Sequence, residues 1–298
     1  MVKLGVLAPL MPGLADSGGF IREYAALLED CGVESIWGVE HVVIAENHEP
    51  RYPYSESGDM GTAFRQLALP DALEFLSFVA GASTRLNLGT AVMLAPLHSP
   101  AVLAKRVATL DSLSGGRMML GLGIGWQQEE YAAVGAPFRA RGARLEECML
   151  AMRALWADSP ATFHGEYWSF DRVYSNPKPA RGAVPILLGG NSAPVIDRVG
   201  RIGDGWLPFT IGPDEIATSA ARIRDVAIAA GRDPEAIDIT AWPGSHDQPS
   251  ERDVDYVRRF VAAGASRLLF WPTMTSPDDL PLVRGQLERY QEQVLDKL

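Results

Sequence analysis

At 298 residues the chain has the length of one (β/α)8 barrel or two average domains, and a composition of 47% hydrophobic and 21% charged residues excludes intrinsic disorder. Its 27 basic against 37 acidic side chains give a net charge of −10, with lysine confined to Lys3, Lys105, Lys178 and Lys297, which argues against nucleic-acid and anionic-membrane partners. Cys31 and Cys148 are spaced for neither a redox pair nor a zinc knuckle and fall on apolar helix faces, as expected of buried thiols in a reducing, cytoplasmic setting.

In chain order, Lys3 to Ala8 reads as a buried strand. A helix follows from about Gly18, capped by Asp16 or Ser17 and ended by Gly32, with Phe20, Tyr24, Leu27, Leu28 and Cys31 at helical spacing. Strand two is Ser35 to Gly38, and the next helix starts at Pro70–Asp71. Strand three is Leu86 to Val92, followed by a helix opened by Ser99 and Pro100. Strand four is Arg117 to Leu122, and a long helix begins near Arg139, with Leu145, Cys148, Met149, Met152, Leu155 and Trp156 on one stripe. Strand five is Pro185 to Leu188, with a helix starting at Asn191 or Ser192. Strand six is Gly205 to Pro208, before a helix carrying Ile216, Ala220, Ile223 and Val226. Strands seven (Ile237 to Thr240) and eight (Arg267 to Trp271) complete the series, and a last helix has Ser276 as its cap and Pro277 at its first position. The uncharged stretches Leu4–Ala15 and Leu86–Ala104 are broken by prolines and fit neither an export signal nor a membrane span.

Repeated β–α pairs predict a parallel sheet with right-handed crossovers, and the length suits a single (β/α)8 TIM barrel over residues 1–298. A doubly wound sheet is disfavoured because no G-x-G-x-x-G follows strand one. Two insertions are expected: about 39–69 after strand two, a polar loop able to act as a lid, and about 159–184, an aromatic hairpin with Phe163, Tyr167, Trp168 and Phe170.

In such barrels chemistry sits at the carboxyl ends of the strands. Glu40-His41 follows strand two directly and can supply acid–base chemistry, or can be a surface ion pair. Glu40, His41, Glu46, His48 and Glu49 lack the spacing that places two imidazoles on one metal, so no metal is expected. Gly189-Gly190-Asn191-Ser192 joins strand five to a helix and can be either an anion-binding turn or an ordinary cap. Gly89-Thr90-Ala91-Val92-Met93 can be a shelf for a planar ligand or plain barrel filling.

Taken together, these stretches resemble the luciferase-like monooxygenase superfamily of flavin and deazaflavin enzymes. The matching pieces are Lys3-Leu-Gly-Val, Trp37-Gly-Val-Glu-His41, Leu88-Gly-Thr-Ala-Val92, Ser114-Gly-Gly-Arg-Met-Met-Leu-Gly-Leu-Gly-Ile-Gly-Trp126, Val184-Pro-Ile-Leu-Leu-Gly-Gly-Asn191 and Gly203-Asp-Gly-Trp206. The Gly-Gly-Asn-Ser loop and the Gly-Trp-Gln-Gln-Glu-Glu run are most similar to the branch that uses coenzyme F420. The resemblance implies hydride transfer between the deazaflavin and a small organic substrate, with His41, and Glu40 beside it, as the acid–base groups. It implies that Ala91, Val92 and Met93, at a bulge where relatives hold a non-proline cis peptide, support the ring together with Gly123, Gly125 and Trp126. Gly189, Gly190, Asn191 and Ser192 would then take the cofactor phosphate, with Lys178, Arg181, Arg139, Arg141 and Arg144 as candidates for its anionic tail. Trp126 stands where the superfamily's glucose-6-phosphate dehydrogenases carry a catalytic Glu, and their substrate-phosphate lysines have no counterpart, which points to an apolar or aromatic substrate. The alternatives are an FMN-dependent two-component monooxygenase served by a separate reductase, a non-catalytic flavin-binding protein, and, outside the resemblance, a metal-dependent hydrolase. A homodimer is the inherited expectation.

Overall fold

Strands covered on both faces read as short apolar runs with small residues, and the chain forms strands at these runs. The computed structural model describes residues 2–243 and 253–298. Its strands are β1 (Lys3–Leu7), β2 (Ser35–Gly38), β3 (Asn87–Thr90), β4 (Met93–Leu94), β5 (Met118–Gly123), β6 (Ala161–His164), β7 (Ser169–Val173), β8 (Ile186–Gly189), β9 (Gly205–Leu207), β10 (Asp238–Ala241) and β11 (Arg267–Phe270). Every pairing is parallel except the β6–β7 hairpin. Because β11 pairs with β1 and β3 with β5, the sheet closes in the order β1-β2-β3-β5-β8-β9-β10-β11, and β4 continues β3. The fold is the expected (β/α)8 barrel.

The helices are α1 (Gly18–Asp30), α2 (Ala72–Ala82), α3 (Pro100–Leu113), α4 (Gln128–Val134), α5 (Arg141–Ala157), α6 (Ala193–Ile202), α7 (Pro213–Ala229), α8 (Val254–Ala262) and α9 (Leu280–Gln293). The Ser17 hydroxyl accepts from the Phe20 N–H and the Asp71 carboxylate from Leu73 and Glu74, whereas Ser99 stands at the N-cap of α3 without a side-chain cap bond. Ser276 and Pro277 open a 3₁₀ turn ahead of α9, rather than α9 itself. Helix α4 was not expected, and α8 is the helix of the seventh β–α pair, whose residues the sequence reading left unplaced. Both are short, and the buried positions of α4 are Glu130 and Tyr131, so it offers no apolar period. Among the described residues no helix is long and apolar enough to cross a membrane.

Leu7, Trp37, Leu187, Leu207 and Leu269 fill the barrel interior, one side chain from each of several strands. Trp37 occupies the space left by glycine: a Cβ on Gly89 would lie 2.3 Å from its ring. Below it, Arg267 on β11 reaches under β1 to Glu34 at 2.8 and 2.9 Å and also donates to the Thr240 hydroxyl. The larger core lies between barrel and helices. The β6–β7 hairpin is fastened to α5 by the Glu147 carboxylate, which accepts from the N–H groups of Glu166, Tyr167 and Trp168.

Candidate active site at the barrel mouth

A bulge shapes the mouth. From Gly89 to Met93 the third strand takes four steps while its neighbour β5 takes three, Met119 to Leu122. The extra residue puts Ala91 and Val92 both on the inner face, and the peptide between them is cis. Neighbouring strands make room with glycine: a Cβ would lie 2.6 Å from Val92 at Gly123 and 2.7 Å from it at Gly189. The same phase change corrects one assignment. Met93 points away from the mouth into the core between barrel and helices, and Leu94 takes the inward position instead.

His41, three residues past the end of β2, lines the same cavity as the Ala91–Val92 bulge. Its Nδ1 lies 3.0 Å from Oε2 of Glu130, a carboxylate with 0% side-chain exposure. The other oxygen, Oε1, accepts from the Val42 N–H at 2.6 Å and from Val43 at 3.4 Å. Gln127 pairs with the Ala45 N–H and the Val43 carbonyl, and Glu129 accepts from the Glu49 N–H. The Gln-Gln-Glu-Glu run is thus a clamp for the start of the loop after β2. Where Oε2 accepts, Nδ1 carries the hydrogen, and Nε2 is left as the ring's acceptor. Phe64 and Trp126 hold the ring edge-on at 5.9 and 6.5 Å.

Glu40 lines the cavity, but its carboxylate is engaged elsewhere: Oε2 accepts from the Leu94 N–H at 2.6 Å and Oε1 lies 3.0 Å from His98 Nε2. These contacts tie it to β4 below the bulge and to the His98 ring.

The cavity encloses about 1110 Å³, more than the roughly 300–1,000 Å³ of a drug-sized ligand site. It is lined by Ala91, Val92, Gly123, Gly125, Trp126 and the whole Gly189–Ser192 loop. Its wall also carries an arc of touching rings: Trp126–Tyr52 at 5.3 Å, Tyr52–Tyr54 at 5.5 Å, Tyr54–Phe209 at 4.7 Å, Phe209–Trp242 at 4.9 Å and Trp242–Trp271 at 6.0 Å. Burial raises both phenol pKa values, that of Tyr52 to about 12 with a further push from Tyr54, so both stay protonated donors. The Trp126 indole N–H is buried with no partner among the described residues.

In the loop after β8, Gly190 has φ +116°, a conformation costly for any residue with a Cβ. Its carbonyl accepts from the Trp206 indole. The Asn191 carboxamide is occupied, donating to the Phe209 carbonyl at 2.6 Å and accepting from the Phe209 N–H at 3.1 Å. Ser192 stands exposed at the N-cap of α6, its side chain making no cap bond.

The expected cations separate. Lys178 donates to the carbonyls of Leu155 and Asp158, and Arg181 packs at Gly116 just before β5, both at the far end of the barrel. Arg144 lies over Tyr167, and Arg139 does not line the cavity. Arg141 does, with its guanidinium over the Phe138 ring, and Arg51 joins it. Burial lowers the Arg141 pKa and the like charge of Arg51 adds to that, against an opposing pull from Tyr131, while Arg51 itself pairs with Glu49 at 3.4 Å. The aromatic hairpin contributes no wall residue.

Sequence reasoning missed Glu130, Arg51 and Phe209, and took Tyr52 and Tyr54 only as loop composition. Glu130 had one signal: a second carboxylate directly after Glu129, just past the end of a barrel strand.

The family model for luciferase-like monooxygenases matches residues 5–282. The chain belongs to the luciferase-like monooxygenase family, and as such it is an oxidoreductase. An uncharacterized protein of Mycobacterium tuberculosis is 31% identical over 262 residues, covering 86% of this chain and 88% of that one. The F420-dependent glucose-6-phosphate dehydrogenase of Kineococcus radiotolerans is 33% identical over 196 residues, covering 63% of this chain and 52% of its own. The monooxygenase RslO1 from Streptomyces bottropensis superposes with a TM-score of 0.74 over 99% of both chains at 20% identity, a likeness of fold.

Proposed function

We propose that this member of the family is an F420-dependent oxidoreductase that moves a hydride between the deazaflavin and a small apolar or aromatic substrate. The observation behind this reading is the His41–Glu130 pair, set in the wall of a cavity that also contains the shelf and the anion-type loop. The cavity suits the group: its volume leaves room for a substrate beside a ring system, Gly190 can adopt its positive φ, and the Trp126 N–H lacks a partner. When bound, F420 supplies a two-electron hydride acceptor or donor, while the protein supplies placement and charge.

Ala91, Val92 and Gly123 would support the ring, and Gly190 to Ser192 the phosphate. The residues then divide the remaining work. His41, fixed through Nδ1, presents Nε2 to take the hydroxyl proton of an alcohol as its hydride leaves, or returns it to a carbonyl oxygen in the opposite direction. Glu130 holds the tautomer that this requires and favours the imidazolium that forms. Rings from Trp126 to Trp271 exclude water and accept an apolar or aromatic body. Trp126 stands among them, so sugar-phosphate chemistry using a carboxylate at that position does not carry over.

One observation favours the FMN monooxygenase reading. Lys178 and Arg181, candidates for the anionic tail of F420, lie at the other end of the barrel, and FMN has no such tail. The test is anaerobic mixing of the protein with F420 and a panel of aromatic alcohols, and with reduced F420 and the matching carbonyl compounds, following deazaflavin absorbance. Turnover with any member, lowered about 100-fold in His41→Ala at nearly unchanged cofactor affinity, supports the proposal. Turnover that is equal in His41→Ala removes His41 from the chemistry, and activity only with reduced FMN and oxygen selects the second reading.

A further inference from the structure

In the closed ring, β2 and β9 stand on opposite sides, four strands apart in either direction. The loop after β2 nevertheless reaches β9: the Tyr54 ring lies edge-on against Phe209, with centroids 4.7 Å apart and planes at 80°. Its near end is tied down by α4 through Val42, Val43, Ala45 and Glu49, and it returns to the barrel where the Ala68 N–H donates to the Leu10 carbonyl. Between these ties, Tyr52 to Glu56 line the cavity as a strap across its mouth. Phe209 is the far landing point. Its backbone is gripped on both sides by one carboxamide, that of Asn191, inside the Gly189–Ser192 loop.

We propose that Phe209 is the seat on which the strap closes and that Asn191 is its positioning residue, so that substrate access is set from the same loop that would hold the cofactor's anionic end. The first half stands on the geometry alone; the link to a cofactor rests on the function proposed above. A ligand that orders residues 189–192 holds Asn191, Asn191 holds the Phe209 backbone, and the Phe209 ring offers Tyr54 a fixed face. The cofactor then enters an open mouth, and the mouth closes only with the loop set. Tyr54 and Phe209 are therefore the residues that decide how large a substrate is admitted under the strap, independently of His41.

Amide hydrogen exchange across residues 50–60 of the ligand-free full chain tests the seat directly. Exchange there should rise about tenfold in Tyr54→Ala and in Asn191→Ala, the size expected for losing an edge-to-face ring pair and its contacts. Phe209→Tyr should keep wild-type protection where Phe209→Ala loses it. Unchanged exchange in α1 and α2 of the same molecules shows that the barrel has stayed folded. A folded Asn191→Ala with wild-type exchange across 50–60 would overturn the proposal, as would equal protection in Phe209→Ala. In a second arm, saturating F420 should slow exchange across 50–60 in the wild type and leave Asn191→Ala unaffected. Slowing in both would break the link between loop and strap. If F420 fails to bind at all, the functional proposal falls and the ligand-free comparison still decides the seat.

Discussion

Glu130→Gln isolates the electrostatic part of the site from its shape. The carboxylate is fully buried, 3.0 Å from His41 Nδ1 on one oxygen and 2.6 Å from the Val42 N–H on the other. A glutamine of the same outline keeps its carbonyl oxygen on the Val42 N–H and turns its NH2 toward Nδ1. Nδ1 must then accept, the ring hydrogen moves to Nε2, and the proton acceptor facing the cavity is lost. Where a triad carboxylate is replaced by its amide, the wrong tautomer costs about 10⁴ in turnover, and acid–base catalysis as a whole contributes about 10²–10⁴. The expected loss here is therefore about 10²–10⁴ in turnover, or roughly 3–5 kcal/mol at 1.36 kcal/mol per tenfold. Stability should change little, because the Val42 bond survives. Glu130→Ala, in contrast, strands the Val42 N–H at about 1–3 kcal/mol and should loosen the loop start as well. Nitrogen NMR of the His41 ring reads the tautomer without any substrate. The hydrogen should sit on Nδ1 in the wild type and on Nε2 in Glu130→Gln. A wild-type ring with its hydrogen on Nε2, or a variant whose tautomer and turnover are both unchanged, refutes the reasoning.

Gly190→Val should weaken cofactor binding at least tenfold in a folded protein, since φ +116° is closed to a β-branched residue; equal affinity by fluorescence titration would make the loop a plain turn. Gly123→Ala should lower stability by about 1–3 kcal/mol, as overpacking does, because its Cβ would lie 2.6 Å from Val92; urea unfolding measures it, and wild-type stability would mean that the bulge yields freely. Although burial alone raises the Glu34 pKa, its bonds and charge interaction with Arg267 bring it below the ordinary carboxylate value. A depressed carboxyl stabilises the fold above its unfolded pKa of about 4.3 and loses that stabilisation as pH falls through the folded value. Glu34→Gln, which leaves a buried guanidinium unpaired, should thus be destabilised relative to the wild type at pH 7, with the gap closing below about pH 4; a gap that is constant with pH would contradict the assigned cause.

The barrel was legible because each strand is a short apolar run bounded by turn residues, and most boundaries fell within a residue or two. Strand three was not legible as two pieces. Gly-Thr-Ala-Val-Met-Leu has no turn signal, and the bulge that splits it depends on glycines at 123 and 189, far away in sequence. The bulge entered only through the resemblance and its phase was not carried on to Met93, which was assigned to the cofactor when it belongs to the core. His41 was visible from its place after β2, whereas its partner Glu130 sits on a helix whose buried face is polar and so has no apolar period. Glu40 was read as an acid–base group beside His41, and adjacency could not show that its carboxylate faces Leu94 and His98. Lys178 and Arg181 were placed with the loop they precede, but β8 runs the height of the barrel between them and that loop, carrying Gly189 to the opposite end.

The most direct measurement of the central claim is a pair of fluorescence titrations of the purified protein, with F420 and with FMN, at one ionic strength. Both ligands offer a ring for the Ala91–Val92 shelf and a phosphate for Gly190 to Ser192. They differ in the anionic tail, for which Arg51 and Arg141 are the cations that line the cavity. Tighter binding of F420, with the difference shrinking in Arg141→Ala and at raised salt, is the predicted result. FMN binding tenfold tighter than F420 would contradict the account and move the chain to the monooxygenase reading.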